Sequence, residues 1–225
     1  MWHRGGAAVA DDDPRVLPDG CADVIWHDDG TDVLVMVAGP DTRAHLAPLG
    51  PTDRMVGIRF APGIASDVLG VPLDEVRDQR VALDDLWGTR AHGLAEGAAE
   101  SGQPGHVLVE EVRRRITRPP DGVISAIVAR LQSSSGRGLV ERLADELSTS
   151  PRQLQRRCRA AFGYGPKTLH EVLRFQRALR LARSGRRLAD VAADVGFADQ
   201  PHMARVTRRL AGVSLGQLLG TTPAG

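Results

Sequence analysis

Arg152, Gln155, Arg156 and Arg159 recur at i, i+3, i+4 and i+7, the spacing that lines one face of an α-helix. A guanidinium is planar, always charged and able to bond the guanine edge bidentately, and a glutamine amide can do the same for adenine. A stripe of this composition carries donors and acceptors for a major-groove edge and charge for phosphates. A second set follows further along the chain: Gln200, His202, Arg205, Arg208 and Arg209. One charge run is usually a solvated surface, but two stripes at matching places in two similar segments favour nucleic acid as the partner.

Helices must position these groups. Leu139, Leu143, Ala144 and Leu147 make a short amphipathic helix that ends at Ser148-Thr149-Ser150-Pro151. Serine at the N-cap and proline at the first helical position then start a second helix, which runs to Phe162-Gly163 with Leu154, Cys158 and Ala161 facing inward. Two short helices joined this way read as a helix-turn-helix. The arrangement recurs from Leu188 to Leu210. Leu188, Val191, Ala192 and Val195 form the support, Gly196 a left-handed stop and Asp199 the next N-cap, while Met203, Val206 and Leu210 point inward. Leu169, Val172, Phe175, Ala178, Leu179 and Ala182 mark a long connecting helix ending near Ser184-Gly185. Upstream, Val123, Ile124, Ile127, Val128 and Leu131 share one face of a helix stopped by Ser133-Ser134-Ser135-Gly136. Two reading heads held by a rigid helix can enter successive major-groove turns roughly 34 Å apart.

The amino-terminal half has a different period. Residues 22–27 and 33–37 are apolar strand-like runs around Asp28-Asp29-Gly30, predicting a hairpin, and residues 55–60 supply a third strand after Gly39-Pro40-Asp41. Helix-like patterning follows over residues 61–100, with Ile64, Val68, Leu69, Val81, Leu83, Leu86 and Trp87 as packing residues. Turn-rich segments at 101–105 and 118–122 flank a short amphipathic run. The chain of 225 residues is nearly neutral at +1, but residues 1–117 sum to −9 and residues 118–225 to +10. An acidic half joined to a basic half fits a protein of which one domain meets a polyanion. The expected fold class is therefore α+β. A small β-rich, barrel-like domain with helices over 1–117 precedes an all-α domain of two helix-turn-helix units joined by a long helix over 118–225.

Other chemistries are weakly supplied. Two cysteines, Cys21 and Cys158, suit neither a disulfide framework nor a four-cysteine zinc site, and both are expected reduced. Cys21 lies near Asp23 and His27 but lacks a basic partner nearby in sequence to activate its thiol. His45, His92 and His106 are scattered without ligand spacing, so neither a bound metal nor a cofactor is expected. Trp26 and Trp87 read as packing residues. No apolar stretch suits a membrane span and the start lacks a signal peptide's apolar region, so a cytoplasmic location without membrane partners is expected. The alternative from another class is a metal- or cysteine-dependent enzyme domain fused to a DNA-binding module.

The run Ala189-Asp190-Val191-Ala192-Ala193-Asp194-Val195-Gly196-Phe197-Ala198-Asp199-Gln200-Pro201-His202-Met203-Ala204-Arg205, followed by Gly212-Val213-Ser214, resembles the second-unit signature of the AraC/XylS family of bacterial regulators. Residues 150–163 resemble its first recognition segment, and the resemblance extends over about residues 120–222. It implies a transcription regulator with double-stranded DNA as partner. It also implies base contacts from Arg152, Gln155, Arg156, Gln200, His202 and Arg205, whereas Arg159, Arg174, Arg208 and Arg209 are the better candidates for phosphate. Where the family usually places aromatic core residues this chain has Cys158, Thr207 and Ala211. That departure predicts a looser second unit and a first unit that dominates base reading. Residues 18–23, 56–63 and 83–88 resemble the β-rich domain of one subgroup of the family, which implies small-molecule effector sensing or homodimerisation there.

Overall fold

The computed structural model describes residues 1–5, 15–47, 49–133 and 138–220. Ser134, Ser135 and Gly136, read above as a helix stop, lie outside them. Strand β1 (Trp2–Gly5), β2 (Arg15–Val16), β3 (Asp23–Asp28), β4 (Val33–Ala38), β5 (His45–Leu46) and β6 (Arg54–Arg59) precede helix α1 (Ala65–Leu69) and a 3-10 turn at Leu73–Glu75. Then come β7 (Arg80–Ala82), α2 (Leu83–Trp87), α3 (Leu94–Glu100) and α4 (Pro104–Arg115). Five strands form one antiparallel sheet in the order β1-β6-β3-β4-β7, and β2 with β5 forms a separate ribbon.

The expected hairpin is β3 with β4, paired from Asp23↔Ala38 to Asp28↔Val33. Its connection is residues 29–32 rather than a two-residue Asp-Gly reversal. The Asp29 carboxylate accepts the N–H groups of Thr31 and Asp32, each at 2.8 Å, and so closes a longer turn. Val81, read as helical, lies on β7. A strand of three residues is too short to display its alternation. Along β3 and its neighbours the period of two divides the sheet. Val24, Trp26, Val35, Val37 and Val56 are buried toward the helices, where the Trp26 indole N–H donates to the Ala95 carbonyl at 3.0 Å. Ile25, Met36 and Met55 face the other way into a cavity of about 290 Å3 whose far wall includes Val16 and Leu49. Sheet and ribbon thus enclose space as a partial barrel.

The remaining chain is helical: α5 (Gly122–Ser133), α6 (Leu139–Glu146), α7 (Pro151–Phe162), α8 (Pro166–Arg183), α9 (Leu188–Asp194), α10 (Gln200–Ala211) and α11 (Leu215–Leu218). One core of buried residues runs from Ala22 to Val112, and a second from Ile124 to Leu215. The two cores press on each other. A Cβ on Gly63 would stand 2.3 Å from Ile124 Cγ2 and 3.0 Å from the Phe162 ring. Gln176 Nε2 donates to the Pro18 carbonyl at 2.7 Å, and Ala44 N to the Leu210 carbonyl at 2.6 Å. No helix among the described residues is long and apolar enough to cross a membrane.

Candidate nucleic-acid interface

The helix pairs α6/α7 and α9/α10 are built from the same local devices. After α6 the chain turns through Ser148 at φ 49°, and Thr149 N donates to the Ala144 carbonyl at 2.9 Å. After α9 it turns through Gly196 at φ 76°, and Phe197 N donates to the Ala192 carbonyl at 2.8 Å. The shared acceptor position is a buried alanine in both supports, which lets the second helix cross close by. Ser150 and Gln153 form a capping box at the start of α7. The Asp199 carboxylate caps α10 by accepting the His202 N–H at 2.6 Å. Gly163 and Gly212, at φ 79° and 75°, end the two helices, each donating its N–H back to the carbonyl four residues earlier at 2.9 Å.

Core packing differs from expectation in the second unit. Thr207 is 1% exposed and Ala211 0%, and Met203, Val206 and Leu210 are buried with them. Small residues here permit close helix approach, so the second unit is as closed as the first. Cys158 is fully buried in the first unit, and burial raises its thiol to about 12.

The outer faces hold free cations. Arg152, Arg156 and Arg159 on α7, and Arg205 and Arg208 on α10, are exposed and have no ion pair among the described residues. Gln200 is exposed at the start of α10. Arg157, which the spacing argument left out, is also exposed on α7. Its side position gave no sequence signal beyond its charge.

Other predicted contact residues touch neighbouring groups of the protein itself. Arg174 sits in the second unit: its Nε donates to the Val195 carbonyl at 3.0 Å, its Nη2 to the Gly196 carbonyl, and its guanidinium stacks 4.0 Å over the Phe197 ring. Burial lowers its pKa. These bonds satisfy the open carbonyls at the end of α9. Arg209 pairs with Glu171. His202 is half-buried with its ring edge-on to Phe197 at 5.4 Å, and its Nδ1 accepts the Ala198 N–H at 3.5 Å. Gln155 lies against Gly165, where a Cβ would stand 2.2 Å from its Nε2. Replacing Arg174 with alanine should therefore lower stability by about 2 kcal/mol in denaturant melts, whereas a purely phosphate-binding side chain would leave the melt unchanged.

In the amino-terminal half, Cys21 donates its thiol toward the Asp19 carbonyl at 3.9 Å, and burial followed by the Asp19 charge pushes its pKa up. That environment disfavours the thiolate form. Among the described residues no group of three histidine, cysteine, aspartate or glutamate side chains is placed to hold a metal ion. Trp26 and Trp87 are buried, as expected of packing residues, and the Arg115 guanidinium stacks 3.6 Å from the Trp87 ring centre.

Residues 143–221 match the family model of a helix-turn-helix domain of the AraC type, and residues 1–82 match a domain of unknown function, DUF6597. No curated protein matches the chain. Among solved structures, the C-terminal domain of AraT, a response regulator from Geobacillus stearothermophilus, is similar at 21% identity over 47% of this chain and 89% of that one, with a TM-score of 0.42. ToxT from Vibrio cholerae is similar at 10% identity over 99% and 97% of the two chains, with a TM-score of 0.49. Its unsaturated fatty acid bound form is similar at 13% over 94% and 90%, with a TM-score of 0.48.

Proposed function

We propose that this DNA-binding transcription regulator, whose residues 143–221 are a helix-turn-helix domain of the AraC type, reads two adjacent major-groove segments and is modulated through its amino-terminal half. The observation that carries the reading is the twice-built turn, each copy presenting unpaired arginines on the outer face of its second helix. The connecting α8 has 18 residues, about 27 Å at ~1.5 Å per residue, and is a continuous helical spacer between the two units. Arg152, Arg156, Gln200 and Arg205 are the base-reading set, with Gln155 and His202 at its half-buried edges. Arg159 and Arg208 hold phosphates. Arg174 positions the second turn, and Arg209 is braced by Glu171.

The boundary between the halves falls near residue 118, between α4 and α5. The cavity in the partial barrel gives the amino-terminal half room for a small molecule, and its polar edge includes His27, whose Nε2 is 3.4 Å from Asp53 Oδ2 but without hydrogen-bond geometry. A molecule bound there shifts DNA affinity only by as much as it prefers one arrangement of the halves over another.

A titration with double-stranded DNA from the promoter of a neighbouring gene, at several salt concentrations and with competitor DNA, tests the reading. Arg156→Ala and Arg205→Ala should each cost about 1–3 kcal/mol at a matched base, whereas Arg208→Ala should weaken all duplexes alike and flatten the salt slope by about one contact. Equal binding of every duplex by both base-reading variants would remove the assignment.

A further inference from the structure

The pleat of the five-stranded sheet sets three rows of side chains on its cavity face. Across β6, β3, β4 and β7 the register aligns Arg59, Asp23, Ala38 and Arg80, and across β1, β6, β3 and β4 it aligns Trp2, Gly57, Ile25 and Met36. Met55 and His27 make the third row. All of these except Gly57 line the cavity of about 290 Å3. The first row is closed on itself. Arg59 holds Asp23 through two bonds of 3.0 Å and reaches Asp19 at 2.9 Å, and Arg80 holds Asp41 at 2.9 and 2.7 Å. The middle row is apolar with an aromatic floor. The Trp2 indole lies over Gly57, where a Cβ would stand 2.3 Å from Cε2 and Cζ2, and its N–H donates to Asp23 at 3.2 Å. The third row is open. His27 Nε2 is buried with no hydrogen bond among the described residues, and the Asp53 carboxylate beside it accepts the Gly50 N–H at 2.9 Å.

We propose that the cavity takes a neutral hydroxylated aromatic molecule of one or two rings, its ring against Trp2, Ile25 and Met36 and its hydroxyl between His27 Nε2 and Asp53. This rests on the reading that the amino-terminal half binds a small molecule. A cavity of about 150 Å3 takes benzene, so about 290 Å3 has room for one substituted ring or two fused ones. The indole face suits a flat ring, and the thioethers of Met36 and Met55 are polarisable enough to pack against its edge. The polar end selects the substituent. A hydroxyl both donates and accepts: it donates to Asp53 when Nε2 carries the ring proton of His27, and to Nε2 when it does not. A carboxylate is disfavoured there, because both arginines of the wall already hold carboxylates and a further anion would face Asp53. An ammonium has donors alone and loses its hydration among apolar side chains.

Isothermal titration calorimetry of the full chain with naphthol, naphthoate and naphthylmethylammonium tests this. Naphthol is expected to bind at least about tenfold more tightly than either ion, the effect of one satisfied hydrogen bond and of a charge left in water. His27→Leu should weaken naphthol about tenfold. Met36→Trp fills the middle row and should abolish its binding. Asp53→Asn removes the negative charge and should narrow the preference for naphthol over naphthoate severalfold, whereas a mere loosening of the cavity would weaken the two alike. No binding of naphthol, equal or tighter binding of either ion, an unchanged preference in Asp53→Asn, or naphthol affinity unaffected by His27→Leu or by Met36→Trp overturns the assignment. Naphthol that binds as expected yet leaves the affinity for promoter DNA unchanged supports the ligand class and counts against modulation of DNA binding through this half.

Discussion

Phe162→Ala should lower the stability of the whole chain by about 3–5 kcal/mol, the cost of emptying a fully buried aromatic site. Phe162 is 0% exposed at the end of α7. Its ring is packed within the helical core and also stands against Gly63 of the amino-terminal half. A cavity there removes contacts on both sides, and neither side can collapse without shifting the other. Denaturant unfolding followed by two probes, tryptophan fluorescence and far-UV circular dichroism, checks it. Trp26 and Trp87 both lie in the amino-terminal core, so fluorescence reports that half while dichroism weights the helices. A coincident shift to lower midpoint is the expected outcome, and a loss under about 1 kcal/mol would mean that the ring's surroundings close around the gap.

Gly39→Ala should cost about 3 kcal/mol or more, the upper range of overpacking. A Cβ there would lie 1.8 Å from the Val76 carbonyl oxygen and 2.7 Å from its carbonyl carbon. The obstruction is backbone, which cannot rotate aside as a side chain would. Gly39 N also donates to the Gln79 carbonyl at 3.0 Å, so the end of β4 and the segment after the 3-10 turn must separate to admit a methyl group. Gly70→Ala is the matching control. It has a positive φ of 79° but nothing within 4 Å of a Cβ, so it carries only the left-handed backbone penalty of roughly 1–2 kcal/mol. Equal midpoint shifts for the two variants would show that close approach at Gly39 is relieved elsewhere.

The helix-turn-helix units were legible because their signals are local. Caps at Ser150 and Asp199, left-handed stops at Gly163, Gly196 and Gly212, and apolar residues at helical spacing each act within a few residues. They would direct these turns in almost any surroundings. The sheet was partly legible: β3, β4 and β6 have runs long enough to alternate, whereas β1 and β7 are fixed by pairing with distant strands. The arginine stripe on α7 was also readable, as a face of a helix.

What that face looks toward was not. A helical period says which residues lie on one side, and chain crossings decide whether that side meets solvent, a carbonyl or another half of the molecule. Arg174 and Arg205 are both arginines on helices of the same region, yet Arg174 closes the end of α9 and Arg205 is exposed and unpaired. Gln155 was predicted to read bases and is pressed against Gly165, in a turn ten residues later in the chain. The sequence by itself determined two reading heads and an acidic neighbour, because caps, periods and charge are properties of short segments. Only the tertiary structure decided how the two halves pack on each other, because that depends on contacts between residues more than eighty positions apart, as in the Arg77 bond to Gly163, where |i−j| is 86.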